Sequence, residues 1–445
     1  MPIIPPVFAC PSSISDNPAS AMTLNDTLSA LAIDPAVDVI SDTQWKDAAS
    51  RRPTGALAFA EPSFVRTVCC DIGIPGDMTE ALLEIAGSVR RSESLSALAW
   101  YFHDALFYTQ REKAAASQWP QLTDALGADA GLFNALIILS GTPQLQALYR
   151  ERGISAEIFR DTTNYLQWHM CKGGYREDHG QWGLASDSLG WVAYYWRGSV
   201  FRIGRLTYAI GKSDARLRVF QHRSTGAVIA LSENGIDYRA DGQVNGAGDV
   251  FDKTESWAST LQIGDHEVSG YPIDPHSFAV QRLVTLSLSE WQQVLKPGDP
   301  VVHMHMAAGC PLDHAACGAS LLQSRRFFAD HFPEWHHVAY CCYSWVLDAQ
   351  FEALLPPTSN LVRFQQSVYL YPVAGGNRET FETVFGRHVQ VVAEAPRDTS
   401  MQRAFAGHIE GGGHFRDGGC FILPEHIPRW HEAVYRSQTL PYLAS

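Results

Sequence analysis

Several common signatures are missing from this 445-residue chain: a lysine and arginine cluster, a run of 18 or more apolar residues, and a Cys-x-x-Cys pair. Each absence excludes a class of function. Neutralising phosphates takes basic residues, and the formal net charge is −13, so nucleic acid and anionic membrane surfaces are not expected partners. A bilayer crossing needs about 20 consecutive apolar residues, so no membrane span is expected. Without paired cysteines a zinc ribbon or dithiol redox motif is not expected, and the nine cysteines read as reduced, buried thiols of a cytoplasmic protein. The first 24 residues carry prolines inside a short apolar part and have no basic start, so they read as a disordered tail and not as a signal peptide. Neither a Gly-x-Ser-x-Gly elbow nor a Gly-Lys-Ser/Thr after the glycine-rich stretch at 172–183 is found, which argues against an α/β-hydrolase and against a P-loop there.

What is present describes a well-packed globular chain, 46% hydrophobic and only 18% charged, with 12 Trp and 21 Phe. It is too long for a single ordinary core, so two or three domains are expected. From Thr23 to about Arg152, Ala- and Leu-rich segments repeat at helical spacing, and a further helix is expected over 154–170. His103 and Asp104, beside Trp100, Tyr101 and Phe107, read as residues of that helical core. From Trp191 the period changes to two. The stretch to Ile210 reads as a hairpin turning at Arg197-Gly198, followed by further antiparallel segments with Asn-Gly and Asp-Gly turns. Later, 361–371 reads as a strand, and Thr399 or Ser400 as the cap of the last helix.

The functional signal is concentrated in residues 301–348, which read as strand, tight loop, helix and strand. Such a unit places its two strands parallel and its loop toward a ligand. His303 and His305 alternate on the first strand and share a face, a spacing also used by metal-binding sheets. After them the loop Ala307-Ala308-Gly309-Cys310-Pro311 opens a helix, so its backbone N–H groups and the helix dipole suit an anion such as the pyrophosphate of coenzyme A. On the second strand Cys342 and Ser344 share a face, and Ser344 with His305 across the sheet would make a proton-transfer pair or a nucleophile with its base.

These residues also carry a resemblance. His305 to Gly309, Pro311-Leu312-Asp313, Cys317, Ser320, Phe327-Phe328, Phe332-Pro333, Cys342-x-Ser344-Trp345-x-Leu347-Asp348, Ser359-Asn360 and Phe364-Gln365, with Phe201-Arg202-Ile203-Gly204-Arg205-Leu206 upstream, form one pattern. The pattern resembles the bacterial acyltransferase family that joins a helical N-acyltransferase N-terminal domain to a GNAT-like C-terminal domain. The resemblance implies an α+β protein: a tail over 1–24, a helical domain over 25–153, and over 154–445 a GNAT-like mixed, largely antiparallel sheet flanked by helices. It also implies acyl transfer from a thioester, acyl-CoA or an acyl carrier protein, to a small-molecule or peptide amine, without a metal. On that reading His305 takes the proton from the amine. Ala308, Gly309 and Cys310 hold the cofactor phosphates, and Ser344 or Cys342 orients the thioester or protonates the thiolate. A cysteine acyl-enzyme at Cys342 is a variant of the same reading. The alternatives are a metal-dependent enzyme built on His303 and His305, or a non-catalytic binding module.

Overall fold

The computed structural model describes residues 22–34, 40–110, 119–120, 122–172, 180–307, 311–376 and 378–438. The chain divides into two compact units, one running to Arg202 and the other from Ile203 onward.

The first unit is helical. At its centre lies Ala130–Ser140, a helix with every residue buried, which explains a sequence apolar on all sides. Helices Gly76–Arg91, Glu93–His103, Ala156–Lys172 and Ser186–Trp196 belong to this unit. The last of these is tied to the earlier helices by buried bonds: the Leu184 N–H donates to Gly131 O at 2.9 Å, Asn134 Nδ2 to Leu184 O at 2.9 Å, and Trp196 Nε1 to Thr142 Oγ1 at 2.9 Å. The helical part therefore extends past residue 153. The segment from Trp191 is the end of a helix and not the first arm of a hairpin. Leu189, Val192, Ala193 and Trp196 form its buried face at helical spacing, and the aromatic alternation of the sequence is incidental to it. The hairpin turns instead at Gly204-Arg205, between Val200–Ile203 and Leu206–Lys212.

Two polar devices sit inside this helical unit. Arg51 grips the fully buried Asp104 with two bonds of 2.7 Å, from Nε and Nη2. His103, ringed by Phe59, Trp100, Phe107 and Tyr108, donates from Nδ1 to Ser140 Oγ at 2.6 Å, since the Ser140 hydroxyl is itself donated to Ile137 O. Burial drives its pKa down to about 3, so the ring is neutral. As the sequence suggested, this is a core histidine with its partner satisfied.

The second unit is built on a central sheet. Five of its six strands are numbered here β1 (Leu206–Lys212), β2 (Pro300–His305), β3 (Ala339–Ser344), β4 (Tyr369–Pro372) and β5 (Gly418–Ile422), and they lie in the order β1-β2-β3-β5-β4, with Val200–Ile203 beside β1. β2 is antiparallel to β1 and parallel to β3, and the β3–β5 and β5–β4 pairs are antiparallel. Between β1 and β2 the chain leaves the sheet. Residues 213–299 make a separate five-stranded antiparallel sheet and smaller ribbons, so the intervening β segments do not lead edge to edge into β2. The segment expected as a strand over 361–371 is a helix, Asn360–Gln366, followed by the short β4. Its buried Gln365 explains the change: the amide donates to Val346 O at 2.8 Å and Asp348 O at 3.0 Å, contacts that a strand would not deliver together with buried Val362.

The two faces of the central sheet have different coverings. Helix His314–His331, capped by Asp313 with the Ala316 N–H donating to Asp313 Oδ1 at 2.8 Å, covers one of them. Ser320 Oγ meets Tyr208 Oη at 2.8 Å and accepts from the Leu206 N–H at 3.1 Å, and Ser324 Oγ donates to Tyr340 Oη at 3.2 Å. On the other face Tyr369 stacks on Phe421 at 4.7 Å. Its hydroxyl donates to Ile273 O and accepts from the Ala230 N–H at 3.2 Å, which fastens the inserted sheet there.

Removing Arg51 leaves the Asp104 carboxylate buried and uncompensated. Arg51→Met is expected to cost about 3–5 kcal/mol in denaturant unfolding, and Arg51→Met combined with Asp104→Asn to recover part of that loss.

Candidate functional site

The site is set by where two parallel strands stop pairing. β2 and β3 are in register at Val301–Ala339, Val302–Tyr340 and His303–Cys341, and there the ladder ends. Both strands continue: β2 to His305, still paired with Thr207 on β1, and β3 to Ser344, still paired with Gly418 on β5. Each is thus held from its outer side while the two diverge on the inner side. A cleft opens between their C-terminal ends, where open sheets with parallel strands bind ligands.

Register also decides which side chains share the cleft. Because His303 stands opposite Cys341, the period of two puts His305 and Tyr343 on that same face. Cys342 and Ser344 lie on the opposite face, with Tyr340 and the 314–331 helix. The expected pairing of His305 with Ser344 or Cys342 across the sheet therefore does not form. Ser344 acts locally instead, its Oγ accepting from the Val346 N–H at 3.4 Å and capping the turn Trp345–Leu347. Cys342 is buried opposite Cys420 on β5. The side chain that takes the place expected of Ser344 is Tyr343, 53% exposed despite its position on a central strand.

His305, half-buried, is the last residue of β2. His303, two positions earlier, points its Nε2 at Lys212 O at 3.1 Å, so that nitrogen carries the hydrogen. Burial lowers the His303 pKa against the pull of Asp214. The next histidines along the chain are engaged elsewhere: His314 stacks on Trp430 and bonds Ser367 Oγ at 2.8 Å, and His337 packs on Phe328 and Tyr340. Among the described residues no group of three His, Cys, Asp or Glu side chains comes together closely enough to hold a metal ion.

The expected phosphate-binding residues Ala308, Gly309 and Cys310 lie outside the described residues. Both residues that flank them are described, and one side chain holds the pair. Arg205 donates from Nη1 to Ala307 O at 2.9 Å and from Nε to Pro311 O at 2.7 Å. A planar guanidinium with donors in a fixed fork suits two carbonyls at a set separation. Arg205 stands at the turn before β1, so the sequence pattern Phe201–Leu206 acquires a physical role. Past Pro311, the 314–331 helix begins with the positive end of its dipole at this end of the sheet. A fork that sets the loop ends, a helix start and diverging strands fit an elongated thioester with an anionic head.

Comparison with known proteins agrees with this geometry. Residues 63–198 match the N-acyltransferase N-terminal domain and residues 200–422 the GNAT-like C-terminal domain. In structure the chain is similar to an acyltransferase crystallised with decanoyl-CoA and teicoplanin, with a TM-score of 0.62 at 20% identity over 90% of this chain and 99% of the other. It is also similar to an acyltransferase mutant crystallised with octanoyl-CoA, with a TM-score of 0.61, 20% identity and the same coverage. No curated protein matches the chain. The chain belongs to the acyltransferase family that couples an N-acyltransferase N-terminal domain to a GNAT-like C-terminal domain.

Proposed function

We propose that the protein moves an acyl group from acyl-CoA to the amine of a small molecule or peptide. The observation that carries this reading is the parting of β2 and β3 after His303 and Cys341, with His305 at the open end and Arg205 fastening the loop ends beside it. An extended pantetheine arm carries amide groups that can pair with strand backbone, as an added strand would. The phosphates then fall to the loop and the helix start, where backbone N–H groups and the dipole favour negative charge. The related structures, solved with octanoyl-CoA, decanoyl-CoA and teicoplanin, support a medium-chain acyl-CoA as donor and an amine-bearing small molecule or peptide as acceptor.

In the reaction the amine nitrogen attacks the thioester carbonyl, the carbon–sulfur bond breaks, and CoA leaves as the thiol. An ammonium cannot attack, so His305, the base within the cleft, first takes one proton; after attack the nitrogen loses a second, which passes to the leaving sulfur to give the CoA thiol. Direct transfer needs no acyl-enzyme. Burial of Cys342 against a second thiol, away from the cleft face, supports direct transfer over a cysteine intermediate. A cytoplasmic location is part of the proposal, in keeping with nine cysteines that show no paired spacing.

Thermal unfolding with CoA, octanoyl-CoA and decanoyl-CoA is the direct test. A donor at 100 times its Kd is expected to stabilise the folded protein by about 2.7 kcal/mol, and no shift with any of the three removes CoA as the donor. His305→Ala is expected to keep decanoyl-CoA binding and lose about 100-fold or more in kcat, followed by thiol release. Arg205→Lys, whose single ammonium cannot bridge both carbonyls, is expected to raise the KM for acyl-CoA about tenfold with a smaller change in kcat.

A further inference from the structure

Among the described residues of the second unit, Asp417 is the carboxylate with an enclosed oxygen that lacks a hydrogen-bond partner, and comparison with its neighbour Asp348 shows why this matters. Asp348 is fully buried and fully engaged: it accepts from the Gln350 N–H and Nε2, from the Arg416 N–H at 3.0 Å and from Arg416 Nε at 3.4 Å. Asp417 is 8% exposed and accepts one bond, from Tyr343 Oη to Oδ2 at 2.9 Å. Its Oδ1 is enclosed and has no hydrogen-bond partner. Buried carboxylate oxygens are normally paired, and one left alone is costly unless something brings it a donor.

The surroundings specify the sign of that donor. Tyr343 lies in the negative field of Asp417, Glu379 and Asp214, which with burial holds its phenol proton in place. Glu379 is exposed on helix Arg378–Phe385, and its neighbour Arg378 is turned to Glu382. Asp417 reaches this position only because residue 375 is glycine: a Cβ there would stand 2.3 Å from Oδ2. The result is an aromatic ring, 53% exposed, hydrogen-bonded over a partly satisfied carboxylate, with the Glu379 carboxylate near enough to add to its negative field. Ring faces attract cations, and carboxylates bind ammonium donors. Tyr343 is on the His305 face of the sheet, at the open end of the strands.

We infer that Asp417, Tyr343 and Glu379 form the subsite that receives the acceptor as its ammonium ion, with Asp417 and Glu379 taking N–H donors and the Tyr343 ring packing against the adjoining carbon. This assignment rests on the acyl-transfer reading and adds to it the charge state in which the acceptor arrives: cationic primary amines are selected over neutral alcohols of the same shape.

The experiment is calorimetric titration of the full chain at neutral pH with benzylamine, which is cationic there, and with benzyl alcohol, which differs only in that group; decanoyl-CoA is titrated separately. Benzylamine is expected to bind at least about tenfold more tightly than benzyl alcohol, and Asp417→Asn to abolish that preference while changing decanoyl-CoA affinity less than about twofold. Glu379→Gln, at an exposed position that does not threaten folding, is expected to weaken benzylamine about threefold, and it carries the test should Asp417→Asn fail to fold. Equal binding of amine and alcohol, no binding of benzylamine to the unaltered protein, or undiminished benzylamine binding in both variants would overturn the subsite. Decanoyl-CoA binding without amine binding refutes the subsite alone. Amine binding that is lost in Asp417→Asn, with no CoA thioester bound, upholds the ammonium site and refutes the donor instead.

Discussion

One pair of parallel strands that cannot stay paired organises the second unit. β2 and β3 each have a more persistent partner on the outside, β1 and β5, and these antiparallel ladders run on after the inner ladder has ended at His303 and Cys341. Sheet twist makes neighbouring strands diverge, and here the outer partners hold the divergence open. Such a cleft follows from strand pairing alone. The side chains at its mouth inherit their orientation from backbone register, so a one-residue slip of β3 would exchange Tyr343 for Cys342 or Ser344.

The same period divides labour between the faces. One row, Tyr208, Tyr340 and their serine partners on the 314–331 helix, is buried and satisfied hydroxyl to hydroxyl, and burial holds those phenols protonated. The other row, His303, His305, Cys341 and Tyr343, meets the cleft and the loop bearing Asp214. Structural polarity and chemical polarity are thus kept apart by the thickness of one sheet.

Much of this is legible from the residues. The strand–loop–helix–strand unit, the shared face of His303 and His305, the Thr399 cap and the core character of His103 follow from local patterns, because each is decided within a few positions. What is not legible depends on long-range register. Alternation alone groups Cys342 with Ser344, but which of the two faces also holds His305 is fixed only by the alignment of β2 on β3. The helices at 186–196 and 360–366 are hidden for a related reason: short aromatic or apolar runs suit either period, and buried partners such as Thr142 and the carbonyls of Val346 and Asp348 decide between them. Asp417 gives no signal at all, since its importance lies in a bond to Tyr343 across 74 positions of sequence.

The excursion between β1 and β2 has a kinetic meaning. These antiparallel neighbours look like two arms of a hairpin, yet residues 213–299 stand between them. The ends of the excursion are clasped together: the Ser213 N–H donates to Asp299 O at 2.8 Å and the Gly298 N–H to Ser213 O at 2.8 Å. Once the inserted sheet has formed and brought those ends together, most of the loop-closure entropy that separates β1 from β2 has already been met, and the remaining step is as local as closing a short turn. On that route the insertion works as a folding jig: a sheet whose completion lines up β1 with β2, one of the two strands that flank the cleft.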